Sequence, residues 1–568
     1  MLSKFTNNFF YILLVFCHLL IFILLVEDIP YWDDYMFISV IDNIENSDGV
    51  YEIFQELFRP HNEHAIFVSK LIFYLQFLIT GSINYKLVAL VGLCLLYIIV
   101  YILFITSEKL IRNDFLPIVF MLLFIPINNI TNWAMVSVGW YGTILFSILS
   151  FYFLGKFLEC YHKFFLLAAI FFMILAPFSM ANGILVGVIS VFVFIQHDWE
   201  KIKVQLLPLS IYIFFTVATL ILIYHISFKE KSGEPFKIES GAVNKIFEIG
   251  QHYLLFLASP MKDLLNNNIS LLTMVGLLLF LFIGFLCFKI KNTIIQYPFY
   301  YMLLLFMLFS MGLISLGRSH ISVDQALRTR YTVMPIMLWI VLARMFILYC
   351  EKYKVKFNFR YFHVILFVFF VNKIAVHYEQ MKERSLELHN GIISFWGERN
   401  SENLAFPQQK IGSAAARLKI GEKRQIYSSK KVLNSTKIIS DLNYEMKDFT
   451  PDFHFRIKFV SSSEDLLFIK GWCFPKDIEH YNFYIQINDG KRSITFMPNR
   501  VKRNDAAKFI LDELNLNIKD KNLGFEVLHP IFKKHKNEEK NNVYLIIEDT
   551  NTKIYYRKLI KSNKKLWF

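Results

Sequence analysis

The sequence predicts a polytopic α-helical membrane protein, with about eleven transmembrane helices, that ends in an extracytoplasmic β-sandwich domain. Three observations lead there. The chain of 568 residues is 55% hydrophobic with 60 Phe and only 19% charged residues, far from the balance of a soluble domain. Its apolar residues gather in runs such as Phe9 to Val26 and Leu271 to Cys287, matching the roughly 20 residues of helix that cross a hydrocarbon core. These runs lack the polar alternation of barrel strands, and a period-two pattern begins only in the last part of the chain.

The first run has Lys4 before it, Glu27 and Asp28 after it, and no small-residue cleavage site, which reads as a retained anchor with a cytoplasmic N-terminus. Spans are expected near residues 8–26, 87–106, 115–128, 136–156, 164–179, 182–196, 204–227, 270–288, 297–316, 331–349 and 360–378. With residues 27–85 as one outer loop, the basic loops fall on the cytoplasmic side: Lys109 with Arg112, Lys156 with Lys163, Lys201 with Lys203, Lys289 with Lys291, and Lys352 to Arg360. The outer side receives Asn128 to Met135 and Ser179 to Gly183, which contain no basic residue. Ala65 to Thr80 is apolar but short and carries Lys70 and Gln76, so it is expected to lie in the outer interface, and capping of this helix at Asn62 is one of three open readings of the segment before it, beside metal and phosphate binding. A second long outer loop is expected over 227–270.

These spans make residues 1–378 one transmembrane domain, which the resemblance given below implies is the catalytic one, followed by a linker with some helix over 379–450 (Glu379 to Asn390 is the candidate) and a β-rich domain over 451–568. In the last, Phe483, Ile485 and Ile487 alternate up to Asp489-Gly490, a pair suited to a two-residue type I′ turn, and Ile494 with Phe496 form the return strand. Val543, Leu545 and Ile547, then Thr550-Asn551, then Ile554 and Tyr556 predict a second hairpin. A single cysteine, Cys473, in this tail leaves no intramolecular disulfide framework there.

Three clusters carry candidate chemistry. In Tyr31-Trp32-Asp33-Asp34-Tyr35, adjacent carboxylates repel, so one can hold a raised pKa and act as a general base, or the segment is a solvated loop between aromatic anchors. In Arg59-Pro60-His61-Asn62-Glu63-His64, His61, Glu63 and His64 could meet a phosphate or a metal, although no third ligand at suitable spacing is evident. In Gly317-Arg318-Ser319-His320 and Arg328-Thr329-Arg330-Tyr331, the guanidinium groups of Arg318, Arg328 and Arg330, with Tyr331, suit bidentate binding of a lipid-linked phosphate or anchoring to anionic head groups.

The eleven-span plan, the large first outer loop with an interfacial helix, the acidic pair after the first span and the long loop between spans seven and eight together resemble the GT-C superfamily of membrane glycosyltransferases. That superfamily includes protein O-mannosyltransferases, aminoarabinose transferases of lipid A and serotype-converting O-antigen glucosyltransferases. The resemblance covers roughly residues 1–400, and Ser179 to Gly183 and Arg330-Tyr331 also look like segments of bacterial members. It implies transfer of a sugar from a polyprenyl-phosphate donor to a glycan or lipid acceptor of the cell surface, such as the O-antigen of lipopolysaccharide, with inversion at the anomeric carbon. It places the base on Asp33 with Asp34 as its partner.

The outer loop Asn128 to Trp133 lacks the carboxylate with which some branches bind a divalent cation, so an enzyme without a cofactor is expected, with a divalent metal as the open alternative. Membrane lipids are expected partners and nucleic acid is not, the net charge of +14 being assigned to cytoplasmic loops and to a tail that includes Lys533 to Lys540. The implied location is a bacterial inner membrane with the C-terminal domain in the periplasm. A periplasmic glycan polymerase or ligase, and a lipid-linked glycan transporter or flippase, stay open as alternatives.

Overall fold

The computed structural model describes residues 2–429 except 62–63, 108, 125–127, 198–201, 229–241, 296, 399–400 and 403, and beyond 429 it describes ten strands. Seven described helices are long and apolar enough to cross a membrane, and the chain is a polytopic, membrane-embedded helical protein. The chain divides into two compact units: residues 1–27 with 39–382, and residues 28–38 with 383–568.

In the first unit, α1 (Leu2–Leu25) is followed by α2 (Met36–Glu45), which begins in the second unit, and by α3 (Val50–Phe58) and α4 (Phe67–Thr80). Then come α5 (Tyr85–Ile105), α6 (Lys109–Leu123), the single turn α7 (Asn128–Thr131) and α8 (Ala134–Cys160). Next are α9 (Lys163–Leu175), α10 (Leu185–His197), α11 (Ile202–Phe228), α12 (Ala242–Ala258), α13 (Ile269–Ile295), α14 (Pro298–Arg318), α15 (Val333–Lys352) and α16 (Phe359–Glu398). The helix that serves as centre is α8, buried along 89% of its apolar window, whereas α13 and α11 keep most of theirs exposed, with 22% and 28% buried. Small residues let the helices approach: a methyl group on Gly92 of α5 would collide with Ser137 of α8, and one on Gly276 of α13 would collide with the Leu254 carbonyl oxygen of α12.

Seven of the expected spans correspond to the long helices α5, α8, α11, α13, α14, α15 and α16. The other four are shorter apolar helices among the described residues. The expected spans 164–179 and 182–196 are the 13-residue helices α9 and α10, each about 20 Å long and short of the ~30 Å core. The intervening Ser179 to Gly183 is a packed turn: Asn182 Nδ2 donates to Ser310 Oγ at 3.3 Å, and a methyl group on Gly183 would strike the backbone of Ala176.

The division at 382/383 falls four residues beyond the expected 378, within α16, whose 40 residues include the expected helix Glu379 to Asn390. Glu, Lys, Arg and Leu there are good helix formers, so the turn continues after the hydropathy falls. Residues 28–38 also leave the transmembrane domain and pack with the residues after 382.

In that second unit, α17 (Ile411–Lys423) packs on the start of α2: a methyl group on Gly421 would meet Ile38 at 3.2 Å. The strands are β1 (Ile438–Ile439), β2 (Met446–Asp448), β3 (Phe453–Ser462), β4 (Leu466–Pro475), β5 (Tyr481–Asn488), β6 (Ser493–Phe496), β7 (Asn499–Val501), β8 (Gly524–Pro530), β9 (Asn541–Asp549) and β10 (Tyr555–Asn563). They hydrogen-bond in the orders β1-β6-β5-β9-β10-β2 and β3-β4-β8-β7. Both expected hairpins pair antiparallel, but Asn488 faces Ser493, so the first connection has four residues rather than a two-residue type I′ turn. Asp489-Gly490 and Thr550-Asn551 themselves lie outside the described residues. The pairs Ile485–Leu545 and Tyr484–Ile546 are buried on opposite faces at the centre of the larger sheet.

Candidate functional site

In the first unit, the end of the bundle between α14 and α15 collects guanidinium, aromatic and buried polar groups. Arg318 closes the last turn of α14, where a cation complements the helix dipole. The chain then runs through two short 3₁₀ turns, Val323–Leu327 and Thr329–Tyr331, into α15. His320 is exposed and Arg328 lies at the cap between the two turns, while Arg330 is half-buried, its guanidinium 4.8 Å from the ring of Tyr331 and 5.9 Å from that of Trp133. Two aromatic faces hold the cation by its charge and its flat shape. Tyr331 is buried edge-on against Trp140 and Phe256, with centroids 6.0 and 6.1 Å away, and its ring lies under the Arg330 guanidinium. Among the described residues, the buried atoms Arg330 Nε, Thr332 Oγ1 and Ser259 Oγ have no hydrogen-bond partner.

The same end holds His252 of α12, whose Nδ1 lies 3.0 Å from Ser315 Oγ. Burial pushes its imidazole down to about 4, so it is neutral near pH 7. After α12, Lys262 Nζ donates to the Leu327 carbonyl at 3.0 Å, and Lys373 of α16 donates to Asp263. Burial lowers the Lys262 pKa, with Asp263 opposing it and Lys373 and Arg328 adding to it. Burial raises the Asp263 carboxyl, but the hydrogen bond and charge of Lys373, with Lys262 and His377, outweigh it and hold the group below its usual range.

In the second unit, Trp32 to Tyr35 form one 3₁₀ turn that begins with Trp32 at φ 49°, the left-handed region that bulky residues rarely enter. The Trp32 N–H donates to the Ala405 carbonyl at 2.9 Å and so ties this turn to the segment after α16. Arg384 lies 4.4 Å over the Tyr31 ring, Tyr35 packs edge-on against Phe406, and the Tyr427 hydroxyl donates to the Asp28 carbonyl at 2.8 Å. The two acids differ. Asp34 is fully buried and accepts from the Tyr31 N–H at 3.3 Å, whereas Asp33 is only half-buried. Burial first, and the charge of Asp34 second, push the Tyr35 phenol far up and keep it protonated.

No family model, curated protein or solved structure matches this chain. Its own geometry therefore carries the functional reading.

His61 and His64 pair through their backbones, each N–H donating to the other's carbonyl at 2.9 and 3.0 Å. Glu63 and Asn62 lie outside the described residues, and the cap position of α4 is Ile66. Among the described residues, no three His, Cys, Asp or Glu side chains gather as a metal-ligand set. Lys229, Lys231, Glu234, Lys237 and Glu239 of the expected long loop also lie outside the described residues, and its apolar part, Tyr253 to Ala258, is the end of α12. Sequence reasoning missed Trp133, His252, Lys262, Asp263 and Lys373. Only the interrupted hydropathy at Lys373 and the run Lys262-Asp263 offered a signal.

Proposed function

We propose that this protein is a GT-C-like membrane glycosyltransferase that moves a sugar from a polyprenyl-phosphate donor to a glycan or lipid acceptor on the extracytoplasmic side of a bacterial inner membrane. The observation that carries the reading is Arg330, a guanidinium held on two aromatic faces with Nε buried and unpartnered among the described residues. A phosphate oxygen satisfies such a donor, and the charge stabilises the phosphate as it leaves. Arg318 and Arg328 supply the further positive charge. In this reading Asp33 takes the proton of the acceptor hydroxyl, and the greater exposure of Asp33 supports its choice over Asp34, whose carboxylate holds the turn. Direct displacement inverts the anomeric carbon. In this reading the N-terminus is cytoplasmic and the tail periplasmic, with its two sheets as the layers of a sandwich.

The test is mass spectrometry of surface glycans from cells carrying wild type, Asp33→Asn or no copy of the protein. Loss of one sugar in both mutant strains is the expected result. Full-length glycan in the Asp33→Asn strain, with chain length collapsing only in the deletion, would replace the transferase by a polymerase.

A further inference from the structure

The turn that carries Asp33 adopts a conformation that its own residues do not favour. Trp32 sits at φ 49°, and a bulky residue stays in that region only where its surroundings over-determine it. Within the turn, the Tyr31 N–H donates to Asp34 Oδ2 at 3.3 Å and the Asp34 N–H donates to the Tyr31 carbonyl at 3.0 Å. The Trp32 N–H instead donates outside the turn, to Ala405. Ala405 belongs to a stretch of chain, residues 384–427, that shares one compact unit with residues 28–38.

Contacts from that stretch flank Asp33 on both sides. Before it, the Tyr427 hydroxyl donates to the Asp28 carbonyl at 2.8 Å, the Arg384 guanidinium lies 4.4 Å from the Tyr31 ring, and the Trp32 N–H reaches Ala405 at 2.9 Å. After it, Phe406 meets Tyr35 edge-on at 5.5 Å, and a methyl group on Gly421 would lie 3.2 Å from Ile38. Local bonds set the contacting residues in turn. The Phe406 N–H donates to the Leu404 carbonyl at 2.7 Å, closing a three-residue turn with Ala405 at its centre, and the Ile426 N–H returns to the Gly421 carbonyl at 3.0 Å just before the buried Tyr427. Burial of an apolar loop explains the contacts at Tyr35 and Ile38. It does not explain a cation on the Tyr31 ring or a left-handed Trp32 tied down by its N–H, and both fix the backbone beside the half-buried Asp33.

We propose that residues 384–427 act as a clasp on the turn Trp32 to Tyr35, with Arg384 and Phe406 as positioning residues that hold the Asp33 carboxylate where it can take the acceptor proton. The role of Asp33 as base rests on the transferase reading, whereas the hold of the clasp on the turn is tested without any transfer step. A displacement of about 1 Å in a reacting group costs on the order of a hundredfold in rate, so loosening the clasp acts on the chemical step. Donor binding, which falls to the arginines of the other unit, is left as it was.

The experiment uses the full chain purified in detergent and two readouts. In the first, Asp33→Cys supplies a thiol in the turn, and its alkylation by N-ethylmaleimide is followed by peptide mass spectrometry. Adding Arg384→Met or Phe406→Leu should speed this alkylation about tenfold or more, and Arg384→Lys, which keeps the cation, by about twofold at most. Glu387→Gln removes the exposed carboxylate that pairs with Arg384 at 3.1 Å but leaves the guanidinium over Tyr31, so it should change nothing. In the second readout, transfer from a polyprenyl-phosphate sugar, Arg384→Met should lower kcat about tenfold or more with donor KM within about twofold of wild type. Combined with Asp33→Asn it should cause no further loss, because a residue that acts through Asp33 has no effect once the carboxylate is gone. Alkylation unchanged by both Arg384→Met and Phe406→Leu would overturn the clasp, as would an unchanged kcat or a loss that multiplies with that of Asp33→Asn. Faster alkylation in a protein that transfers no sugar, or whose transfer survives Asp33→Asn, would leave the clasp holding the turn and remove Asp33 as the base.

Discussion

The Lys373 ammonium donates to the Asp263 carboxylate across 110 residues of sequence and fixes α16 to the turn that follows α12. The Lys373 side chain is 4% exposed and that of Asp263 14%, so this is a buried pair, and removing one partner leaves the other charge uncompensated. Asp263→Asn is therefore expected to cost about 3 kcal/mol, and the double variant with Lys373→Met should recover most of the loss. Thermal unfolding followed by tryptophan fluorescence measures both.

The same pair predicts a pH dependence. The folded carboxyl of Asp263 titrates below its unfolded value of about 4, so its stabilisation is present above that value and disappears as pH falls through the folded value. The difference in melting temperature between wild type and Asp263→Asn should be full at neutral pH and shrink below roughly pH 4. A difference that is constant from pH 7 to pH 3 would show that the contact is not ionic.

Lys70 gives the same direction in a higher pH window. Its ammonium, 1% exposed, donates to the carbonyls of Glu56 and Arg59, the last residues around α3. Burial pushes it down to about 8, against Glu56 and with Arg59. The folded state releases this proton before the unfolded chain does, so stability gains between pH 8 and about 10.5. The stability of wild type relative to Lys70→Met is expected to rise through that window, as read by denaturant unfolding at pH 7.5 and 9.5.

Two glycines set close backbone approaches. Gly276→Ala would press a methyl group onto Leu254 of α12, and Gly183→Ala onto Ala176 and Pro177, where backbone rather than a flexible side chain must move. Each is expected to cost about 1–3 kcal/mol. Gly284→Ala, whose added methyl group would have nothing within 4 Å, should be neutral in the same unfolding assay.

Arg330→Lys is not conservative, because an ammonium cannot reproduce a flat guanidinium lying on Tyr331 and Trp133. We expect donor KM to rise at least tenfold for Arg330→Lys, and less for Arg318→Lys, whose side chain ends a helix. Equal effects from the two would place the phosphate elsewhere.

Hydropathy made the long helices legible, because α5, α8 and α13 through α16 bring their apolar windows with them. It overran at α9 and α10, where continuous apolar sequence hides the turn around Asn182 and Gly183. It stopped short at α16, where charge replaces apolar residues without ending the helix. The arginine cluster could be read because its members are neighbours in sequence. Neither the 3₁₀ turn that ties Trp32 to Ala405 nor the pair Asp263–Lys373 could be read, since both join residues more than a hundred positions apart and no local pattern marks the partner.

The central claim is tested most directly by incubating the purified protein with a radiolabelled polyprenyl-phosphate sugar and a surface-glycan acceptor, and measuring sugar transfer by wild type and Asp33→Asn. Transfer with inverted anomeric configuration by wild type, lost at least a hundredfold in an Asp33→Asn protein of unchanged melting temperature, is the predicted result. Undiminished transfer by Asp33→Asn, or retention of configuration, would contradict it.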